Sequence, residues 1–202
     1  MGLISNGTTI FDAGAMSVGG SMVFIKKLTA SSSATLSFLN GSDSVVFDGT
    51  YKEYVFICNN IHGASDGEPL TFQVDTGSNT NYNIAVTNTF FRGRHNEGNT
   101  IASVAYVTTY DQAQGTGFIR CNGGGGTGND ENAAMILHMF DPANTTFVKH
   151  YILNGSNYQD NDGAENLFAA GYFNTTTALT RIQFKMGSGN IDSGTISLYG
   201  IA

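Results

Sequence analysis

Four groups of residues in this sequence are of types that do chemistry. Gly123 to Gly128 (GGGGTG) matches the GxGxxG spacing that lets a backbone approach a pyrophosphate. That site needs a strand before the glycines and a long helix after them. The next apolar run, Ala133–Phe140, is too short for such a helix, so the glycines read as a surface loop. Asp160, Asp162 and Glu165 form an oxygen-rich group of the kind hard cations favour. They lack the spacing of a calcium loop, whose bidentate Glu stands at position twelve. Asp130 with Glu131 is a second acidic spot, and both read as solvated carboxylates with no metal. His62, His95, His138 and His150 are scattered, with no paired spacing that would set up a zinc site. His138 sits in an apolar run and reads as a core histidine.

The fourth group is Arg92, Arg94, His95 and Glu97, crowded into the polar stretch 90–99. Arginine is favoured where bidentate pairing is needed across an interface, so these four are candidate contact residues. Leu3, Ile4, Ile10 and Phe11 in the N-terminal stretch are the other candidates. Paired carboxylates for glycoside hydrolysis usually work beside aromatic sugar platforms, and the chain has no Trp. The expectation is a protein that is not an enzyme, with no catalytic residue and no cofactor. Tyr110, Tyr158 and Tyr172, each near Asn, are the residues that could instead stack on a sugar.

Those residues must be placed by strands. The chain of 202 residues fits one β-rich domain and is long enough to bury a core without disulfides. Alternating apolar and polar residues mark half-buried strands at 21–28, 34–39, 70–75 and 82–89, and again at 181–186 and 195–199. Residues 51–59, 100–110, 117–121, 145–153 and 167–173 are β-branched or aromatic-rich and also read as strands. Asn40-Gly41 and Asp48-Gly49 punctuate them. Residues 90–99 and 154–163 read as polar loops, and 133–140 (AAMILHMF) as either a helical turn or a buried strand. Residues 187–194 read as the turn of a final hairpin, with Ile182, Phe184, Met186, Ile196 and Leu198 in the core. The expected fold is an all-β antiparallel sandwich, jelly-roll-like, over 21–202, preceded by an arm at 1–20.

Composition narrows the partners. Charged residues make up 12%, about half the usual share. This suits a protein that covers much of its outside with neighbours, or one that stays soluble through amide and hydroxyl groups. The net charge is −7 and no basic stripe is present, which argues against nucleic acid. No apolar run is long enough to span a bilayer, and the opening MGLISNGTTIFDAG lacks the basic and apolar regions of a signal peptide. Cys58 and Cys121 lie in strands without CxxC spacing and read as small buried hydrophobes.

Two stretches, Phe168–Ala202 (ending GNIDSGTISLYGIA) and Tyr51–His62 (YKEYVFICNNIH) followed by LTFQVD, occur together with the opening MGLISNGTTIFDAG. In combination they resemble virion structural proteins of tailed bacteriophages, especially marine ones. The resemblance implies a jelly-roll-like particle component present in many copies. It brings no catalytic residues. The expectation is a capsid decoration or cement subunit on the outer head lattice. Its partners would be the major capsid protein, other virion proteins and further copies of itself, and its place the virion, assembled in the host cytoplasm. The alternative is a tail or fibre module that binds a host-surface glycan.

Overall fold

The computed structural model describes residues 3–5, 8–12, 15–16 and 21–202, with side chains from Ser21 onward. The strands are numbered in chain order. Within the first twenty residues, β1 (Leu3–Ser5), β2 (Thr8–Asp12) and β3 (Ala15–Met16) pair antiparallel in that order. Beyond them lies the expected antiparallel sandwich, and the described residues contain no helix.

The large sheet has nine strands. Its path is β10 (Ala113–Gly115), β8 (Val86–Asn96), β14 (Gly163–Phe173), β13 (Lys149–Gln159), β12 (Ala133–Phe140), β6 (Glu53–Gly63), β16 (Ile191–Ile201) and β4 (Met22–Thr29). The ninth strand, β9 (Ala102–Tyr106), pairs with the far half of β8. The small sheet runs β11 (Ile119–Arg120), β7 (Leu70–Thr76), β15 (Leu179–Met186) and β5 (Leu36–Leu39).

The alternation in each strand decides which side chains lie between the sheets. Phe38, Phe72 and Phe184 project from the small sheet and meet Phe56 from the large one. Ring centroids in this cluster lie 5.4–6.4 Å apart, mostly edge-on or tilted, as aromatic quadrupoles prefer.

The last two strands correct the hairpin expectation. Ile182, Phe184, Met186, Ile196 and Leu198 are all buried, as the alternation requires. Yet β15 pairs with β5 and β7, whereas β16 pairs with β4 and β6. The two strands lie in different sheets and exchange no ladder hydrogen bonds. Residues 187–190 therefore form an arch between sheets. Gly189 makes the bend at φ +73°, a conformation that side-chain-bearing residues rarely adopt.

Two segments read as loops are strands. Residues 90–96 continue β8, and 154–159 continue β13 into a long hairpin with β14, closed by a tight turn at Asp160–Asp162. The ambiguous 133–140 is strand β12.

Cys58 and Cys121 are free and buried. Burial pushes the Cys58 thiol up to about 12. Cys121 is raised too, first by burial and then by Cys58 nearby. Both thiols thus stay protonated at neutral pH and are poor nucleophiles. Ellman's reagent should titrate neither in the native protein and both after unfolding; fast native labelling would contradict the packing.

Candidate interaction surface

The first place to look is the cluster of charged residues on β8. Alternation along β8 puts Arg92 and Arg94 on the inner side of the sheet, at its end. Arg92 Nη1 donates to Glu165 Oε1 at 2.8 Å, and Glu165 on β14 is fully enclosed. The second carboxylate oxygen of Glu165 accepts the Gly123 N–H at 2.8 Å. Arg94 Nε donates to Gln159 Oε1 at 2.7 Å. Asn157, also buried, accepts from Asn122 Nδ2 at 3.0 Å and donates to the Gly124 carbonyl at 2.8 Å. Arg120 from the small sheet donates to the Gly123 carbonyl at 3.0 Å and lies 4.1 Å from the Tyr110 ring centre.

These residues form a polar plug between the two sheets, and its centre is the glycine-rich run. Gly124 sits at φ +119°, and a Cβ there would collide with the backbone carbonyl of Gly67. Gly67 and Gly125 are joined by a backbone hydrogen bond of 2.9 Å. The glycines are thus a close-packed closure of the sandwich, not an exposed phosphate cradle. Glu165 also parts company with Asp160 and Asp162. It turns inward to Arg92, while Asp162 stays at the turn and accepts a 3.4 Å hydrogen bond from the Tyr158 hydroxyl. Among the described residues no three His, Cys, Asp or Glu side chains stand together as a metal site.

The candidate contact residues therefore divide. Arg92 and Arg94 are engaged within the chain. His95 pairs with Asn99 at 3.1 Å and Glu97 accepts from Tyr158 at 3.1 Å, both on the exposed rim. Leu3 and Ile4 lie in β1 and Ile10 and Phe11 in β2, with their side chains outside the described residues. The three tyrosines do not share a cleft. Tyr110 packs edge-on against Phe90 in the plug, Tyr158 is tied to Glu97, and Tyr172 lies near His150.

What the sequence did not reveal is the outer face of the large sheet. Register places its side chains in rows across the strands. One row reads Tyr106, Phe91, Phe168, Asn154, Ile136, Ile57. The next reads Thr89, Ala170, Ile152, His138, Val55, Tyr199, Phe24. Phe91 and Phe168 stack face to face with centres 5.0 Å apart and lie 43% and 41% exposed. Ile136, Ile152, Phe24 and Tyr106 are exposed as well. Thr89, Asn154 and His138 are the polar members of these rows, and His138 Nδ1 meets Glu53 Oε1 at 2.5 Å.

Comparison with known proteins finds no matching family model, no matching curated protein and no matching solved structure.

The outer face accordingly has to be judged on its own chemistry. A sheet face that binds nothing is normally polar, giving clean in-out alternation. Contiguous exposed apolar rows mark a surface that meets something else. An open hollow of about 510 Å³ over Thr89, Phe140, His150, Ile152 and Ala170 lies on this face, and rows this broad suit a macromolecular contact. Beside it, at one end, a cleft of about 600 Å³ is lined by Phe140, Asp141, Asn144, Phe147, His150 and Thr176. Phe147 stands 69% exposed there. The signal that could have revealed the outer face was present in AAMILHMF, which is apolar at both phases of a strand.

Proposed function

We propose that this chain is a structural subunit of a bacteriophage virion, a decoration or cement protein that seats the outer face of its large sheet on the head lattice. The observation that carries this reading is the double row of exposed aromatic and aliphatic side chains centred on Phe91, Phe168, Ile152 and Ile136. The low charge content and the resemblance of Phe168–Ala202 and Tyr51–His62 to phage virion proteins support it. Assembly proteins work by burying such surface, and a stable contact buries on the order of 1,000 Å² or more. No catalytic step is assigned, because the strongest charged cluster is consumed in holding the sandwich shut.

The test is a double substitution on the face. Phe91→Lys with Phe168→Glu places charges where the contact forms, sets opposite signs across the strand pair and leaves the core untouched. Wild-type protein should co-sediment with heads that lack it, and the variant should remain in the supernatant with an unchanged unfolding midpoint. Undiminished co-sedimentation of the variant would remove the outer face from the account.

The cleft beside Phe147 favours one second reading, a tail or fibre module that holds a host-surface glycan. An exposed aromatic ring with a neighbouring carboxylate, amide and imidazole is the kind of lining that stacks on and hydrogen-bonds a sugar. A glycan array with signal in the wild type and none in Phe147→Ala would support that role; an array blank for both would remove it.

A further inference from the structure

β9 forms a free edge of the large sheet, and all five of its residues are exposed. Two hydrogen bonds fix which backbone groups it still offers. Asn96 N–H donates to the Ile101 carbonyl at 3.2 Å, and Val107 N–H donates to the Phe90 carbonyl at 2.8 Å. An antiparallel ladder alternates, so Ile101, Ser103, Ala105 and Val107 turn their N–H and C=O toward β8. Ala102, Val104 and Tyr106 turn theirs outward. Such a row is satisfied by water or by another extended strand.

Proteins usually guard such edges with lysine, proline or a bulge. The opposite edge is guarded: β4 carries Lys26 and Lys27, with Lys26 bridged to Asp43 at 2.6 Å. Residues 101–110 (IASVAYVTTY) contain no charge and no proline. Val104 is 82% exposed and Tyr106 56% exposed, so no described residue covers the strand.

We propose that two copies pair β9 to β9, antiparallel, about a two-fold axis through Val104. The strand complements itself in that register. Val104 opposes Val104, Ala102 opposes Tyr106, and Ser103 opposes Ala105. Small side chains meet large ones, and identical uncharged strands meet without facing like charges. A second copy is therefore the occupant that this edge fits. Tyr106 carries the row of Phe91 and Phe168 out to this edge, where pairing would set it against Ala102 of the second copy. The axis is perpendicular to the sheet, which puts both outer faces on the same side. The pairing itself does not depend on what those faces bind.

Sedimentation velocity of the full chain over a range of concentrations should show a dimer. Val104→Pro removes an outward N–H and spares the ladder to β8. Val104→Lys instead adds a pair of like charges at the axis. Both variants should sediment as monomers at the wild-type concentration, with the Ellman-silent cysteines reporting an intact fold. Val104→Cys should close a disulfide between copies under mild oxidation, because facing Cα atoms about 5.5 Å apart suit the bond. Ala102→Cys should not. A wild type that is monomeric at every concentration would overturn the proposal, as would a dimer that survives both Val104 substitutions.

Discussion

Glu165→Ala is expected to lower the stability of the fold by about 3–5 kcal/mol, the scale for removing one partner of a buried ion pair. The carboxylate is enclosed, and its two oxygens serve two donors, the Arg92 guanidinium and the Gly123 N–H. Truncation leaves a cation and an amide without their acceptor in a place that water enters poorly. A neutral hydrogen bond would be worth only about 1 kcal/mol, so the charge decides the size of the effect. Glu165→Gln should fall between, because it still accepts from Gly123 but no longer balances Arg92. Replacing both Arg92 and Glu165 with methionine should cost less than the sum of the single changes, since no orphaned charge remains. Urea unfolding measures this directly, as a shift in midpoint at constant slope. Against a total of about 5–15 kcal/mol, a loss of this size leaves the alanine variant near the edge of folding. A loss below about 1 kcal/mol would mean that the pair is solvated like a surface bridge.

Phe184→Ala should cost about 3–5 kcal/mol by a different route, the cavity left when a buried ring is removed. Phe184 lies at zero exposure among Phe38, Phe56 and Phe72, at the point where the two sheets meet. Neighbouring rings cannot collapse inward without breaking their own edge-on contacts, so relaxation recovers little. Phe184→Leu should cost less. Phe168→Ala on the outer face is the control: its ring is partly in water already, and its loss should cost less than about 1 kcal/mol. The contrast separates side chains that hold the sandwich together from those that face outward for another purpose.

The sandwich was legible in the sequence wherever one face of a strand is apolar and the other polar. Residues 181–186 and 195–199 are of that kind, and the apolar residues expected in the core are buried there, joined by Ser197. Periodicity could not tell that these strands lie in opposite sheets. A hairpin and an arch both show two alternating runs joined by glycines, and differ only in which strands they pair with. Two segments violate alternation, one at the outer face and one at the buried plug. In 133–140 the outward residues Ile136 and Phe140 are apolar like the inward ones, so the period vanishes. In 154–159 the inward residues Asn157 and Gln159 are polar, because they belong to the plug, so a buried strand reads as a loop. The β8 arginines misled for the same reason: charge in a sequence suggests exposure, and nothing local announces that Glu165 waits on the next strand.

The central claim is that the chain covers a head lattice through the outer face of its large sheet, and the most direct measurement is its copy number in purified particles. Quantitative mass spectrometry against the major capsid protein should give hundreds of copies, in a fixed ratio to the lattice positions. A handful of copies per particle, or none, would contradict the account.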